Sequence, residues 1–305
     1  HARVLWTAFT PHSPLAILAE DPSRFTADDI CGKPAGILSQ NRNGLMRFEY
    51  SPDYSGVPLS AAMPLSNRAY GQSVVRPVLF GLLPDSERQR RAIAKESGVS
   101  ANNPVALLSV IGRDCPGAVQ FCALDAVDAV VGRPGDYREV SDVEVASKLK
   151  SIRTDYDATW MGRDESWSLG GNQGKFALAF RNGRWCECLG SAPTTHIFKN
   201  GVEGFKLEAL NEYICMRTAP KVGIPTAKVE YRFFGGEPAL IVARYDRLTR
   251  GRSVKRLHQE DLCQALGVMP DQKYTSDGGP TARDILEQLL DVDSSSVSLV
   301  LFTRR

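Results

Sequence analysis

At 305 residues, 43% hydrophobic and 24% charged, the chain is long enough for two domains with well-buried cores, so its stability calls for neither disulfides nor metals. Lys and Arg outnumber Asp and Glu by only 37 to 35, and so small a surplus gives no argument for a nucleic-acid binder or a membrane-surface protein. The seven cysteines form no Cys-x-x-Cys, and the four histidines are scattered along the chain. That pattern argues against zinc and a disulfide framework, and for free, mostly buried thiols in a reducing cytoplasm.

In chain order, Val4-Leu5-Trp6 is a short strand candidate. Asn43-Gly44 predicts a hairpin turn with both central residues at positive φ. A half-buried strand follows, in which Met46, Phe48 and Tyr50 alternate with Arg47 and Glu49. Pro84-Asp85-Ser86 caps a helix running to about Ser97 and stopped by Gly98, and the basic run Arg88-Gln89-Arg90-Arg91 is expected on its solvated face. Asn103-Pro104 starts another helix, ending at Gly112. Ala118 to Leu124 reads as a buried strand, and Asp125 to Tyr137 as a loop-rich boundary with Gly132, Pro134 and Gly135. Ser141 and Glu144 form a capping box for a helix to about Leu149.

Beyond that boundary a strand near Trp167-Ser168-Leu169 leads into Gly170-Gly171-Asn172-Gln173-Gly174-Lys175. Strands follow at Phe176 to Phe180, after the Asn182-Gly183 turn at Trp185 to Leu189, and at His196-Ile197-Phe198, ending at Lys199. A helix from about Leu207 to Ala219 carries Glu212, and Pro220 should end it. Strands at Val229 to Phe234 and Ala239 to Tyr245 are joined by Gly235-Gly236, and helical patterns take over from Glu260. No stretch reaches the ~18 apolar residues of a membrane span, and the start, with Pro11, His12 and Glu20, lacks the core of a signal peptide. The chain opens on His1 and closes on Leu301-Phe302-Thr303-Arg304-Arg305 without a helix stop, so both ends are expected to be cut.

A glycine-rich turn brings backbone N–H groups over phosphates, because missing side chains allow close approach. Such a turn alone is a weak signal. It is not a Walker A loop, since three residues rather than four separate Gly170 from Gly174, and Phe176 stands where a Ser or Thr would bind Mg²⁺. Its context follows another order. Protein kinases place a glycine-rich hairpin first, then a strand lysine, a helix glutamate, and strands leading to a hinge. The corresponding candidates are 170–175, Lys199, Glu212 and Val242 to Tyr245. Taken singly, Lys199 and Glu212 would be solvated charges, and the shared order shifts that balance. His196 reads as a satisfied core or edge residue, Cys186 and Cys188 as thiols packing on one strand face, and Arg217 and Lys221 as helix-face charges. Trp160 and Trp167 are left between core and lid.

The chain resembles the HipA family of bacterial toxin kinases, the toxin halves of type II toxin–antitoxin pairs. The resemblance runs from about Lys33 to the C-terminus. It rests on Leu82-Leu83-Pro84-Asp85-Ser86, the stretch Leu107 to Val119 with Gly112-Arg113-Asp114-Cys115-Pro116-Gly117, the stretch Ser168 to Lys175, and Pro193-Thr194-Thr195-His196-Ile197-Phe198-Lys199. Asn211-Glu212-Tyr213, Gly223-Ile224-Pro225, Arg244-Tyr245-Asp246-Arg247, Gln259-Glu260-Asp261-Leu262-Cys263-Gln264 and the stretch Lys273 to Pro280 complete it.

The resemblance implies an α+β chain. Residues 1–130 would be a small N-terminal mixed α/β domain, with 1–31 unassigned. Residues 138–305 would be a protein-kinase-like lobe, with a β-rich nucleotide part followed by the start of an all-α part. It implies ATP with Mg²⁺, phosphoryl transfer to Ser or Thr of a protein in translation such as an aminoacyl-tRNA synthetase, and a cytoplasmic bacterial setting. The implied partner is a HipB-like helix-turn-helix antitoxin, with DNA engaged only through it. By position, Ser168 matches the family's autophosphorylated serine and Leu169, Gly170, Gly171, Asn172, Gln173, Gly174 and Lys175 its phosphate loop. Lys199 matches the nucleotide-binding lysine, Val242, Ala243, Arg244 and Tyr245 the adenine-holding hinge, and Asp246 a supporting residue beside it. Ala243 departs from the acidic residue often found there, and the stretch from Thr7 to Cys31 matches nothing in the family. The catalytic Asp-x-His-x-Lys-Asn segment and the later metal-binding Asp occur nowhere in the 305 residues. Catalytic and metal residues are therefore expected beyond Arg305, with the chain inactive alone. A catalytically dead remnant that binds only antitoxin or nucleotide is the alternative, and a nucleotide-sensing module outside toxin biology a weaker one.

Overall fold

The computed structural model describes residues 14–19, 33–132, 135–154, 161, 165–201, 204–205 and 207–292. The strand expected at Val4-Leu5-Trp6, and Trp160, lie outside them.

The first half is a five-stranded antiparallel sheet. Its strands are β1 (Leu15–Ala19), β2 (Lys33–Gln40), β3 (Met46–Tyr50), β4 (Ala69–Gly71) and β5 (Val119–Ala123), in the order β4-β3-β2-β1-β5. Helices α1 (Gln72–Gly81), α2 (Glu87–Ser97) and α3 (Pro104–Ile111) lie between β4 and β5 in sequence. Met46, Phe48 and Tyr50 of β3 are buried and alternate with exposed neighbours, so one face of the sheet meets the core that α1 and α3 complete. β1 belongs to the stretch that matched nothing in the family, yet it sits between β2 and β5 with every residue buried. Leu15, Ile17 and Ala19 join the main core, while Ala16 and Leu18 pack with Cys122 and Val130 on the opposite face. Both faces are covered there, so an unbroken apolar run is what the position requires.

The segment expected to be a loop-rich boundary carries a 3₁₀ turn, the helix α4 (Val127–Gly132) that covers the far face of β1, and the strand β6 (Asp136–Glu139). Helix α5 (Asp142–Thr154) runs one turn beyond its expected end. The second sheet adds β7 (Phe176–Arg181), β8 (Arg184–Leu189), β9 (His196–Lys199), then helix α6 (Glu208–Thr218), β10 (Val229–Phe234) and β11 (Glu237–Ala243). Its order is β10-β11-β9-β7-β8-β6, antiparallel throughout. Its core brings α5 residues Val145, Leu149 and Ile152 together with Phe176, Trp185, Phe198 and Phe234. The hairpin β12 (Arg247–Arg250) and β13 (Ser253–Arg256) follows, and then helices α7 (Leu262–Leu266) and α8 (Ala282–Val292). Among the described residues no helix is long and apolar enough to cross a membrane.

Local signals explain most of these boundaries. The Ser86 hydroxyl accepts the Gln89 N–H and Gly98 ends α2 at φ +67°. Asn103 caps α3 through Val105 and Ala106 N–H. Ser141 and Glu144 bond reciprocally at the start of α5. The two Asn-Gly turns differ. Asn182 and Gly183 both take positive φ, +49° and +80°, as a two-residue hairpin needs. At Asn43-Gly44 only the glycine does. There Asn41 Oδ1 accepts the N–H groups of Asn43 and Leu45, so the Asn41 side chain closes a longer turn.

Candidate nucleotide-phosphate site

The expected strand at Trp167-Ser168-Leu169 does not form. Trp167 makes only an isolated parallel bridge to Asp114, and Gly171 one to Pro84. The glycine-rich loop is therefore no hairpin between neighbouring strands. Its upstream arm lies on the first half of the chain, and its downstream arm runs into β7. Ser168 N–H donates to Asp114 O at 3.0 Å, and the Ser168 hydroxyl donates to Leu82 O. Ser168 is 1% exposed. Asp85 and Gly171 exchange bonds, Asp85 N–H to Gly171 O at 3.2 Å and Gly171 N–H to Asp85 Oδ1 at 3.3 Å.

The glycines are there for close approach. A Cβ on Gly170 would lie 3.1 Å from Gly81 O, and one on Gly171, whose φ is +92°, would lie 2.8 Å from Lys175 Nζ. Lys175 Nζ thus sits over the loop backbone. Burial, then the nearby Lys199 ammonium, brings Lys175 down to about 8, against the pull of Asp85 and Glu212. Gln173 Nε2 is buried without a hydrogen-bond partner, a donor left over for a ligand.

Lys199 ends β9 and Glu212 lies in α6, and the structure joins them at 2.6 Å. The lysine is held in direction by the sheet, through its register with Leu240 of β11. The strand lysine thus pairs with the helix glutamate, and both charges act on Lys175 at the end of the glycine-rich loop. A nucleotide's phosphates fit this donor set, with Lys175, Lys199 and the orphaned Gln173 amide offering positive charge or hydrogen. Among the described residues no cluster of His, Cys, Asp or Glu has the makings of a metal site.

The hinge candidates divide. Val242 and Ala243 lie in β11, with Val242 in register with Ile197 of β9. Ala243 N–H donates to Lys228 O, and Arg244, just past the strand, donates its N–H to Thr195 O, so the start of the hinge is tied into the sheet. Tyr245 is 68% exposed and its hydroxyl bonds Gln259. The side chains of Arg244 and Asp246 turn instead into a buried network that sequence reasoning missed. Asp114 Oδ1 accepts Arg247 Nη2 and Arg256 Nε, each at 2.8 Å, and Oδ2 accepts Thr194 Oγ1 at 2.7 Å and faces Arg244 Nη1 at 3.4 Å. Asp246 Oδ2 takes Arg244 Nη2, Arg247 Nη1 and the Gly117 N–H at 2.7 to 2.9 Å. Burial works to raise the Asp114 carboxyl. Arg247, Arg256 and Arg244 overcome it and hold the carboxyl well below the usual carboxylate range. The motif Gly112 to Gly117 signalled this position, but not that its aspartate crosses to the other half.

Other expectations resolve plainly. His196 packs against Trp185 and Phe180, and burial pushes its imidazole down to about 4, as a core histidine requires. Cys186 and Cys188 are buried and free, as are Cys115 and Cys122. Trp167 is core, its indole N–H on Glu165. Of the basic run, Arg88 and Arg91 are exposed, while Arg90 is turned back onto the Pro84 and Asp85 carbonyls.

Family models match both halves, the HipA N-terminal domain over residues 30–122 and the HipA-like C-terminal domain over residues 167–305. The chain is 35% identical over 277 residues to Sinorhizobium fredii Y4mE, which carries a kinase name, covering 88% of this chain and 66% of that protein. It is 31% identical over 240 residues to the serine/threonine-protein kinase toxin HipA of Shewanella oneidensis, covering 77% of this chain and 53% of that protein. A chain in the Shewanella oneidensis MR-1 toxin–antitoxin complex of HipA, HipB and operator DNA superposes with TM-score 0.68 at 28% identity, over 90% of this chain and 60% of that one. The chain spans between half and two thirds of the length of these relatives. With two family models matching in order over most of its length, and the fold and glycine-rich loop placed as described, the chain belongs to the HipA family.

Proposed function

We propose that these residues form the nucleotide-binding part of a HipA-type serine/threonine protein kinase, the toxin of a toxin–antitoxin pair. The observation that carries this reading is the Lys199–Glu212 pair at 2.6 Å beside a glycine-rich loop with a partly buried Lys175. In kinases that pair directs an ammonium at nucleotide phosphates. ATP is the cofactor, with Lys175, Lys199 and the 170–174 backbone on its phosphates and the 242–245 backbone on adenine. ATP and its Mg²⁺ supply the transferable phosphoryl group and its charge compensation. A protein Ser or Thr in the translation apparatus is the acceptor, and a HipB-like antitoxin the partner, in line with the S. oneidensis relatives.

Ser168 is the autophosphorylation site in this reading. Its hydroxyl is buried on Leu82 O, so the loop must leave this position before the serine can accept a phosphoryl group. A phosphate there, at about −1.5 to −2 charge, would not fit back. The 305 residues hold no Asp-x-His-x-Lys-Asn segment, so they transfer no phosphate to protein by themselves. Metal-dependent phosphorylation by this polypeptide alone would overturn that statement.

Calorimetry of ATP binding with and without Mg²⁺, beside Lys199→Ala, tests the site. Binding by the parent chain that is lost in the variant is the expected result. A folded chain that binds no ATP would leave antitoxin binding as its remaining role.

A further inference from the structure

The motif Lys273 to Pro280 stands out in the sequence and has no task in the site so far. Its shape is fixed locally. Gly278 takes φ +82°, Gly279 N–H donates to Tyr274 O at 3.0 Å, and Thr275 Oγ1 donates to Pro280 O at 2.9 Å. A Cβ on Gly279 would lie 2.0 Å from Gln272 O, so no larger residue fits. This turn holds Lys273 at its start, where Nζ meets Asp85 Oδ2 at 3.0 Å and the Tyr274 ring at 5.3 Å.

Asp85 is the loop's own contact. Its other carboxylate oxygen accepts the Gly171 N–H, and Arg90 fixes its backbone from behind through the Pro84 and Asp85 carbonyls at 2.6 and 2.7 Å. One carboxylate thus bridges a phosphate-loop amide and a lysine ammonium, the two donor types a phosphate uses. Lys199 and Lys273 both press on the charge of Lys175, against Asp85 and Glu212. Three ammonium groups therefore share two carboxylates, and the excess positive charge is open to an anion richer than aspartate.

We propose that Lys273 is a third phosphate-contacting lysine of the nucleotide site, and that Asp85 holds its ammonium and the Gly171 amide until nucleotide phosphates replace the carboxylate. This rests on the nucleotide-binding reading above. Asp85 and Lys273 are partly exposed, with side chains at 21% and 35%, so both tolerate substitution. Asp85 comes from the link between α1 and α2, Gly171 from the loop before β7 and Lys273 from the segment between α7 and α8, so the proposed phosphate site draws on three separate parts of the chain.

The test is the affinity of the full 305-residue chain for ATP, pyrophosphate and adenosine, with urea midpoints as the folding control. Lys273→Gln should weaken ATP and pyrophosphate about tenfold, the scale of one charge-assisted bond, and leave adenosine unchanged, while Lys273→Arg should retain ATP. Asp85→Asn keeps an acceptor for Gly171 but removes the competing charge, so ATP should bind more tightly and adenosine equally. Unchanged ATP affinity in Lys273→Gln, or a parallel loss for adenosine, overturns the lysine's role. Weaker ATP binding by Asp85→Asn overturns the placeholder. A parent chain that binds neither ATP nor pyrophosphate overturns the nucleotide reading itself, a result distinct from the other two.

Discussion

Burial and the Lys199 ammonium bring Lys175 down to about 8, which gives the proposed phosphate binding a pH dependence of definite sign. Bound phosphates favour the ammonium, so the bound form must hold its proton to higher pH than the free form. Below pH 8 the free lysine is already charged and affinity is flat. Above it, binding must take up a proton and ATP affinity falls. Calorimetry between pH 7 and 9.5 should show this decline in the parent and lose it in Lys175→Gln. His196 acts on stability instead. Its folded pKa is about 4 against an ordinary 6.5, so between those values the unfolded chain binds more protons, and stability falls as pH drops through that window. The loss is at most about 3 kcal/mol. Urea unfolding at pH 7 and pH 5 should show about 2 kcal/mol of it, and His196→Gln should flatten the difference. A histidine expected to satisfy the core thus behaves as one. Lys273 was visible only as the first letter of a motif, because a residue's part in a site depends on a partner, here 188 positions away.

The two Asn-Gly turns make a similar point for elements. One dipeptide builds two backbones because Asn41 supplies acceptors at the first turn, and nothing equivalent precedes the second. Asn182→Ala must hold alanine at φ +49° and should cost about 1 kcal/mol. Asn43→Ala, with no positive φ to hold, should cost close to nothing, and urea denaturation of the pair checks it. Elements with polar caps were legible, as at Ser86, Asn103 and Ser141. Helix α1 was not. Its N-cap is Gly71 without a side-chain bond, and Pro77 interrupts its interior, so both customary signals point away from a helix. The β12–β13 hairpin stayed hidden for another reason. Arg247, Lys255 and Arg256 are buried, and strands that turn charges inward carry the opposite of the expected pattern. The glycine-rich loop was legible as a tight turn but not as a contact surface for the first half, since no local signal encodes a bond 86 residues away.

Across the whole molecule, Asp114 ties the halves together. Its carbonyl holds Ser168 N–H and its carboxylate holds three arginines of the second half. Removing that carboxylate leaves buried guanidiniums without compensation, so Asp114→Ala should cost about 3–5 kcal/mol. Scanning calorimetry should show one transition in the parent and two in the variant. The same wiring sets the order in which a growing polypeptide assembles the proposed phosphate site. A chain that has emerged from the ribosome through Glu212 holds the lysine–glutamate pair and the glycines in sequence. It lacks Arg244, Arg247 and Arg256 to seat Asp114, and Lys273 to meet Asp85. Contacts of such separation form late in folding, after the loop-closure entropy has been met. The proposed nucleotide site is therefore complete only at the end of synthesis of this region rather than with the residues that first announce it.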